Sequence, residues 1–166
     1  GWVGGRVNLC QLERLGPVLQ RLAKKHDIEL RVLSNESVEI PGVRVTHVPW
    51  ALDIQEQEVA AFDIGVMPLP PSKHAEGKCA YKALQYMAAA VPVVASDVGI
   101  NKEVVIPEQA GFIARTLEDF EPALETLITD PELRKKLGQE GRALAVQSYS
   151  VEIVGARLAN ILKRNG

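Results

Sequence analysis

The sequence is poor in the residues that build metal and redox centres: among 166 residues it has two cysteines and three histidines. Cys10 and Cys79 lie far apart, and His26, His47 and His74 share no ligand spacing with them or with one another. A metal site is therefore not expected, and free thiols suit a reducing compartment. Basic residues are not in excess either. The formal charge of −2 supplies no basic face for nucleic acid. Long apolar runs are missing too: the longest, from Tyr86 to Ala95, is interrupted by Pro92 and is too short to span a bilayer. The opening Gly1-Trp2-Val3-Gly4 shows no basic leader before an apolar core, so no signal peptide is expected and a cytoplasmic location is. No Ser-His-Asp or Cys-His arrangement, internal repeat or low-complexity segment is visible.

What is present is an ordinary globular composition, 46% hydrophobic and 24% charged, at a length that suits one domain. Short β-type runs alternate with helical spacing. Trp2 to Gly4 opens the chain, and Leu12, Leu15, Val18, Leu19 and Leu22 follow at the spacing of one amphipathic helix. Ile28 to Leu33 and Val43 to Val48 alternate with period two around a Pro41-Gly42 turn. Asp63 to Leu69, Val91 to Ala95 and Gly111 to Ala114 read as buried strands. Helices are expected around Val59 to Phe62, Tyr81 to Ala89 and Lys102 to Ile106. Thr116 with Asp119 resembles a capping box, and Asp130-Pro131 a capped helix start. A closing helix from Ser150 carries Val154, Leu158 and Ile161, a stripe expected to dock on the sheet domain. The alternation predicts an α/β fold: a doubly wound, Rossmann-like parallel sheet of about six strands with helices on both faces. Ligands of such sheets sit at the carboxyl ends of the strands.

Two loops there are rich in anion-binding features. In Gly4 to Asn8, Gly5 allows close approach of a phosphate and Arg6 can grip it bidentately; the glycines could equally serve a tight turn. The stretch Glu76-Gly77-Lys78-Cys79-Ala80-Tyr81 leads into a helix, where the free amides of Cys79, Ala80 and Tyr81 would favour an anion and Lys78 would add a charge. A solvated lysine in a connecting loop is the plainer alternative. Trp50, after Pro49 at the end of the third strand, stands where a nucleobase could lie, or simply packs.

The segments "FDIGVMPL", "GKCAYKALQYMAAAVPVVASDVGINKEVV", "AGFIA" and "DPELRKKLGQEGRALAVQSYS" together resemble the C-terminal, donor-binding domain of retaining glycosyltransferases of family 4, which have the GT-B fold. The resemblance covers essentially the whole chain, residues 1–166, and implies that the N-terminal acceptor domain is absent from it. It implies a nucleoside-diphosphate sugar as donor substrate, transfer of a glycosyl group to an acceptor hydroxyl with retention, and no metal or other cofactor. The full-length enzyme could be peripheral at the inner membrane, though not through this domain. Aligned on Pro92, the family's two glutamates fall at Gly77 and Gln85. Gln85 keeps hydrogen-bonding capacity for a ribose. For the sugar-side position the candidates are Glu76, next door, and Lys78 in a different role on the diphosphate. Arg6 fits the family's basic pair; Gln11 stands at the position of its second member, and Lys78 is the expected replacement. Glu103 falls in a region that touches the ligand edge, and Ala90 stands where the family has glycine. The alternatives are half of a GT-B epimerase or phosphorylase, or a non-catalytic nucleotide-binding or signalling module.

Overall fold

The computed structural model describes residues 1–106 and 108–164. Six strands form two parallel three-stranded ladders. One has the order β1 (Trp2–Val3), β2 (Glu29–Ser34), β3 (Arg44–Pro49), and the other β4 (Gly65–Met67), β5 (Val93–Ser96), β6 (Gly111–Ala114). The ladders abut at β1 and β4. Gly1 donates its amine to the Ile64 carbonyl (2.6 Å) and accepts from Val66 N (3.0 Å), the paired bonds of a parallel bridge. Further along, the Tyr86 hydroxyl enters the seam, accepting from Val3 N (3.1 Å) and donating to the Val66 carbonyl (3.3 Å). Those two buried backbone groups would otherwise lack partners. Burial pushes the Tyr86 phenol above its ordinary value, so the hydroxyl stays protonated as this geometry requires. Read across the seam the strand order is 3-2-1-4-5-6, which reverses between β1 and β4 and creates a switch point there.

Period-two alternation sends neighbouring side chains to opposite faces. Val3, Leu33, Val93 and Ala95 join the core cluster that holds Tyr86 and Met87. Trp2, Val32 and Val94 join the other, with Leu12, Leu15, Leu22, Phe120 and Leu127. The sequence-expected helix over Leu12 to Leu22 is two helices, α1 (Leu9–Arg14) and α2 (Gly16–Lys25), because Pro17 sits in the first turn of the second. After α3 (Gln55–Ala60) and β4 comes a four-residue helix the sequence did not announce, α4 (Lys73–Glu76), capped by Ser72. Then follow α5 (Tyr81–Ala88), α6 (Asn101–Val104), α7 (Phe120–Thr129) and α8 (Pro131–Tyr149). The expected caps form: Asp119 Oδ2 accepts from the Arg115 and Thr116 amides, and Asp130 Oδ1 accepts from Leu133 N.

Helix α5 is bracketed by two alanines in the left-handed region, Ala80 (φ 55°) and Ala90 (φ 60°). At position 90 the backbone does need a positive φ, so the methyl group there is strained. Helix α8 runs close against this corner: a Cβ at Gly138 would stand 2.1 Å from the Ala90 carbonyl oxygen. The last helix, α9 (Val151–Arg164), corrects one expectation. It contacts chiefly α8, and its stripe does not dock on the sheet domain: Val154, Leu158 and Ile161 are 45%, 55% and 56% exposed. The physical reason is that α8 takes the place against α5 and β6, and α9 reaches the fold chiefly through α8. Among the described residues no helix is long and apolar enough to cross a membrane.

Candidate functional site

At the carboxyl edge of the sheet, beside the switch point, a cleft of about 560 Å³ opens between the loop after β1, the end of β3, and the start of α5. The loop after β1 is held down by Gly4 N, which donates to the Leu33 carbonyl (3.1 Å). Glycine is required at position 4, since a Cβ would lie 2.5 Å from the Trp2 ring and 3.0 Å from Lys82 Cε. Asn8 joins this loop to the second one. Its Oδ1 accepts from Lys78 Nζ (3.1 Å) and from Gln11 Nε2 (3.0 Å). The sequence-expected loops thus meet at one side chain.

Helix α5 begins at Tyr81, with Ala80 as an N-cap whose side chain offers no cap. Its first turn closes with Leu84 N donating to the Ala80 carbonyl, so the amides left without helical acceptors are those of Ala80, Tyr81, Lys82 and Ala83. Of the three amides expected from sequence, Ala80 and Tyr81 belong to that set, and Cys79 N, just before it, meets no backbone acceptor among the described residues. The left-handed turn at Ala80 sets the helix start at Tyr81 and adds Lys82 and Ala83 to the expected donors. Lys82 Nζ lies 5.5 Å from the Trp2 ring centroid. Burial first, and then the neighbouring Lys78 ammonium, holds its pKa below the usual lysine value. Gln85, three residues on and so on the same helix face, also lines the cleft. At the other end stands Trp50, 41% exposed, its indole Nε1 donating to Gln55 Oε1 at 2.7 Å.

The structure thus gathers Gly5, Trp50, Gly77, Lys78, Cys79, Tyr81 and Gln85 on one cleft wall. Four other expected residues are placed differently. Ala80 is fully buried and shapes the wall through its backbone. Arg6 is not on the wall; its guanidinium pairs with Glu36 at 3.2 Å. Glu76 ends α4 with its side chain exposed, and Glu103 lies on α6; neither lines the cleft. For Glu76 the cause is local: α4 finishes at that residue, and only from Gly77 onward does the chain reach the cleft. Lys82, Asn8, Asn35 and Gln55 line it without having been anticipated. For Lys82 a signal existed, four residues after Lys78 and three before Gln85. The wall carries two lysines and, among the described residues, no carboxylate. Such a wall favours an anion. Among the same residues no three of His, Cys, Asp and Glu converge as metal ligands would.

Residues 6–130 match the sequence family described as glycosyl transferases group 1. The chain belongs to that family. It is 32% identical over 109 residues to alpha-D-kanosaminyltransferase of Streptomyces kanamyceticus, a match covering 63% of this chain and 27% of that protein. The chain therefore spans about a quarter of the length of that curated relative. Its fold is that of the C-terminal domain of the glycosyl transferase group 1 family protein LpcC from Francisella tularensis. There the TM-score is 0.69 at 19% identity, over 90% of this chain and 85% of that one. HepE of Anabaena, solved in complex with UDP and glucose, superposes with a TM-score of 0.75 at 18% identity, over 98% of this chain and 48% of that one.

Proposed function

We propose that this chain is the nucleoside-diphosphate-sugar-binding half of a retaining, metal-independent glycosyltransferase of family 4. The observation that carries the reading is the cleft wall: two lysines with no carboxylate beside them, at the start of a helix whose first amides are free, at the switch point of the sheet. The solved UDP complex of HepE, a protein of the same fold, supports it. In this reading the diphosphate lies across the loop after β1 and the first turn of α5, where backbone amides and the helix dipole attract it. Lys78 and Lys82 take the place of the family's basic pair, while Arg6 stays with Glu36. As the bond from sugar to diphosphate breaks, negative charge grows on the leaving oxygens, and these fixed donors stabilise it. Gln85 hydrogen-bonds the ribose. The acceptor hydroxyl is presented by a second, N-terminal half, and that positioning supplies roughly 7–11 kcal/mol of the barrier reduction. The enzyme works in the cytoplasm, if peripheral to a membrane then through its other half.

Calorimetry with UDP, GDP, ADP and inorganic phosphate tests the reading. A nucleoside diphosphate should bind this half alone with about −4 to −5 kcal/mol, sub-millimolar to millimolar, and phosphate more weakly. A chain that binds no nucleoside diphosphate at millimolar concentration would be something other than a donor half.

A further inference from the structure

The far end of the cleft contains a chemical asymmetry. An indole Nε1–H can only donate, so the Gln55 atom that meets it must be the amide oxygen. With Oε1 engaged at 2.7 Å, Gln55 presents its NH₂ group, and that group donates to nothing among the described residues. The pair is anchored from behind: Trp50 N donates to the Ser34 carbonyl (3.1 Å), which also receives the His47 ring at 2.9 Å. Trp50 therefore offers a partly exposed aromatic face, with a fixed hydrogen-bond donor at its edge. Strand β3 lies two strands from β1, about 10 Å across the sheet, so this end is separated from the lysines at the other end of the same cleft.

We infer that Gln55, oriented by Trp50, selects the base of the bound nucleotide, favouring one that shows an oxo group at its pairing edge over one that shows an amino group. Uracil O4 and guanine O6 accept from the Gln55 amide. Cytosine N4 and adenine N6 are donors that would oppose it. A donor brought face to face with another donor when the base closes over it costs more than a hydrogen bond merely lost. The inference rests on the nucleotide reading above and adds to it the class of base.

The test is calorimetric titration of the whole chain with UDP and with CDP, which differ only in that edge. Wild type should favour UDP about tenfold. Gln55→Glu keeps an acceptor for the Trp50 indole but replaces the NH₂ donor by an oxygen, and should bring the UDP-to-CDP ratio to one or below. Gln55→Ala, a surface change that leaves the core intact, should erase most of the preference without inverting it. Equal affinity for UDP and CDP in wild type, or an unchanged ratio in both variants, would overturn the role of Gln55 while leaving the nucleotide reading in place. Absence of binding by either nucleotide would overturn both.

Discussion

The two edges of the sheet each carry a cavity of similar size, about 560 Å³ at the carboxyl edge and about 470 Å³ at the amino edge, but they treat positive charge in opposite ways. At the amino edge each lining arginine has its carboxylate: Arg31 with Glu58 at 2.8 Å, Arg44 with Asp27 at 3.0 Å, Arg134 with Asp63 at 3.9 Å. At the carboxyl edge Lys78 meets only an amide oxygen, and Lys82 only an aromatic face. Paired charges on a surface contribute little and are satisfied within the fold. Two cations held close together without a counter-ion are a standing repulsion, one that an anionic ligand relieves. A cavity is thus recognised as a binding site less by its volume than by the charge it leaves unanswered.

That contrast is broken most directly by removing the unanswered charges. Lys78→Ala with Lys82→Ala should weaken UDP binding about 100-fold by calorimetry, taking the lower end of roughly 1.5–3 kcal/mol for each charged hydrogen bond. The matching pair at the other edge, Arg31→Ala with Arg44→Ala, should leave the affinity as it was. If both double variants bound UDP like wild type, the two edges would be functionally equivalent.

A pH series sharpens the comparison at a single group. The pKa of Lys82 is held below its ordinary 10.5, by burial first and by Lys78 second. The folded chain thus binds this proton less tightly than the unfolded chain does. The group contributes a stability increment that is fully present above 10.5 and is lost as pH falls through the lowered folded value. Binding runs the other way, since the diphosphate needs the charged form. Affinity for UDP should decline on the alkaline side, starting below the usual lysine range, and Lys82→Arg should move that decline to higher pH. A flat alkaline limb down from pH 10.5 in wild type would show that Lys82 does not face the ligand.

The smallest effect is expected where the charges are already satisfied. Arg44→Ala should cost under about 1 kcal/mol in denaturant unfolding, because that side chain is 57% exposed.

The sheet was legible because Leu30 and Val32 of β2 and Val43 and Val45 before and in β3 recur at every second residue, and because the Val93–Ser96 run is apolar enough to be buried throughout. The division of the first helix was less so, although Gly16-Pro17 marks it. Helix α4 hides between a proline run and Gly77, where its four residues show no periodicity. For the site, glycines beside a helix entrance announced the edge of the sheet where the cleft opens. Side-chain destinations were not legible. Arg6 could not be seen turning to Glu36, Glu76 could not be seen stopping short of the cleft, and Lys82 could not be seen folding over Trp2. Each depends on contacts between residues distant in sequence or on where a short helix ends. The Trp50–Gln55 hydrogen bond is close in sequence but forms only once β3 ends and α3 begins.

Helix α5 carries a consequence for how such a chain can change over generations. Left-handed residues at Ala80 and Ala90 fix both of its ends, and Gly138 packs against the second. A residue gained or lost between them would turn every later side chain by about 100°, taking Gln85 out of the cleft and Tyr86 out of the seam. Variation in length should therefore be purged from this segment and tolerated in the loops around it. Ala90→Gly, by contrast, releases the methyl strain and leaves the spacing of the helix intact. It is the kind of change this segment can accept.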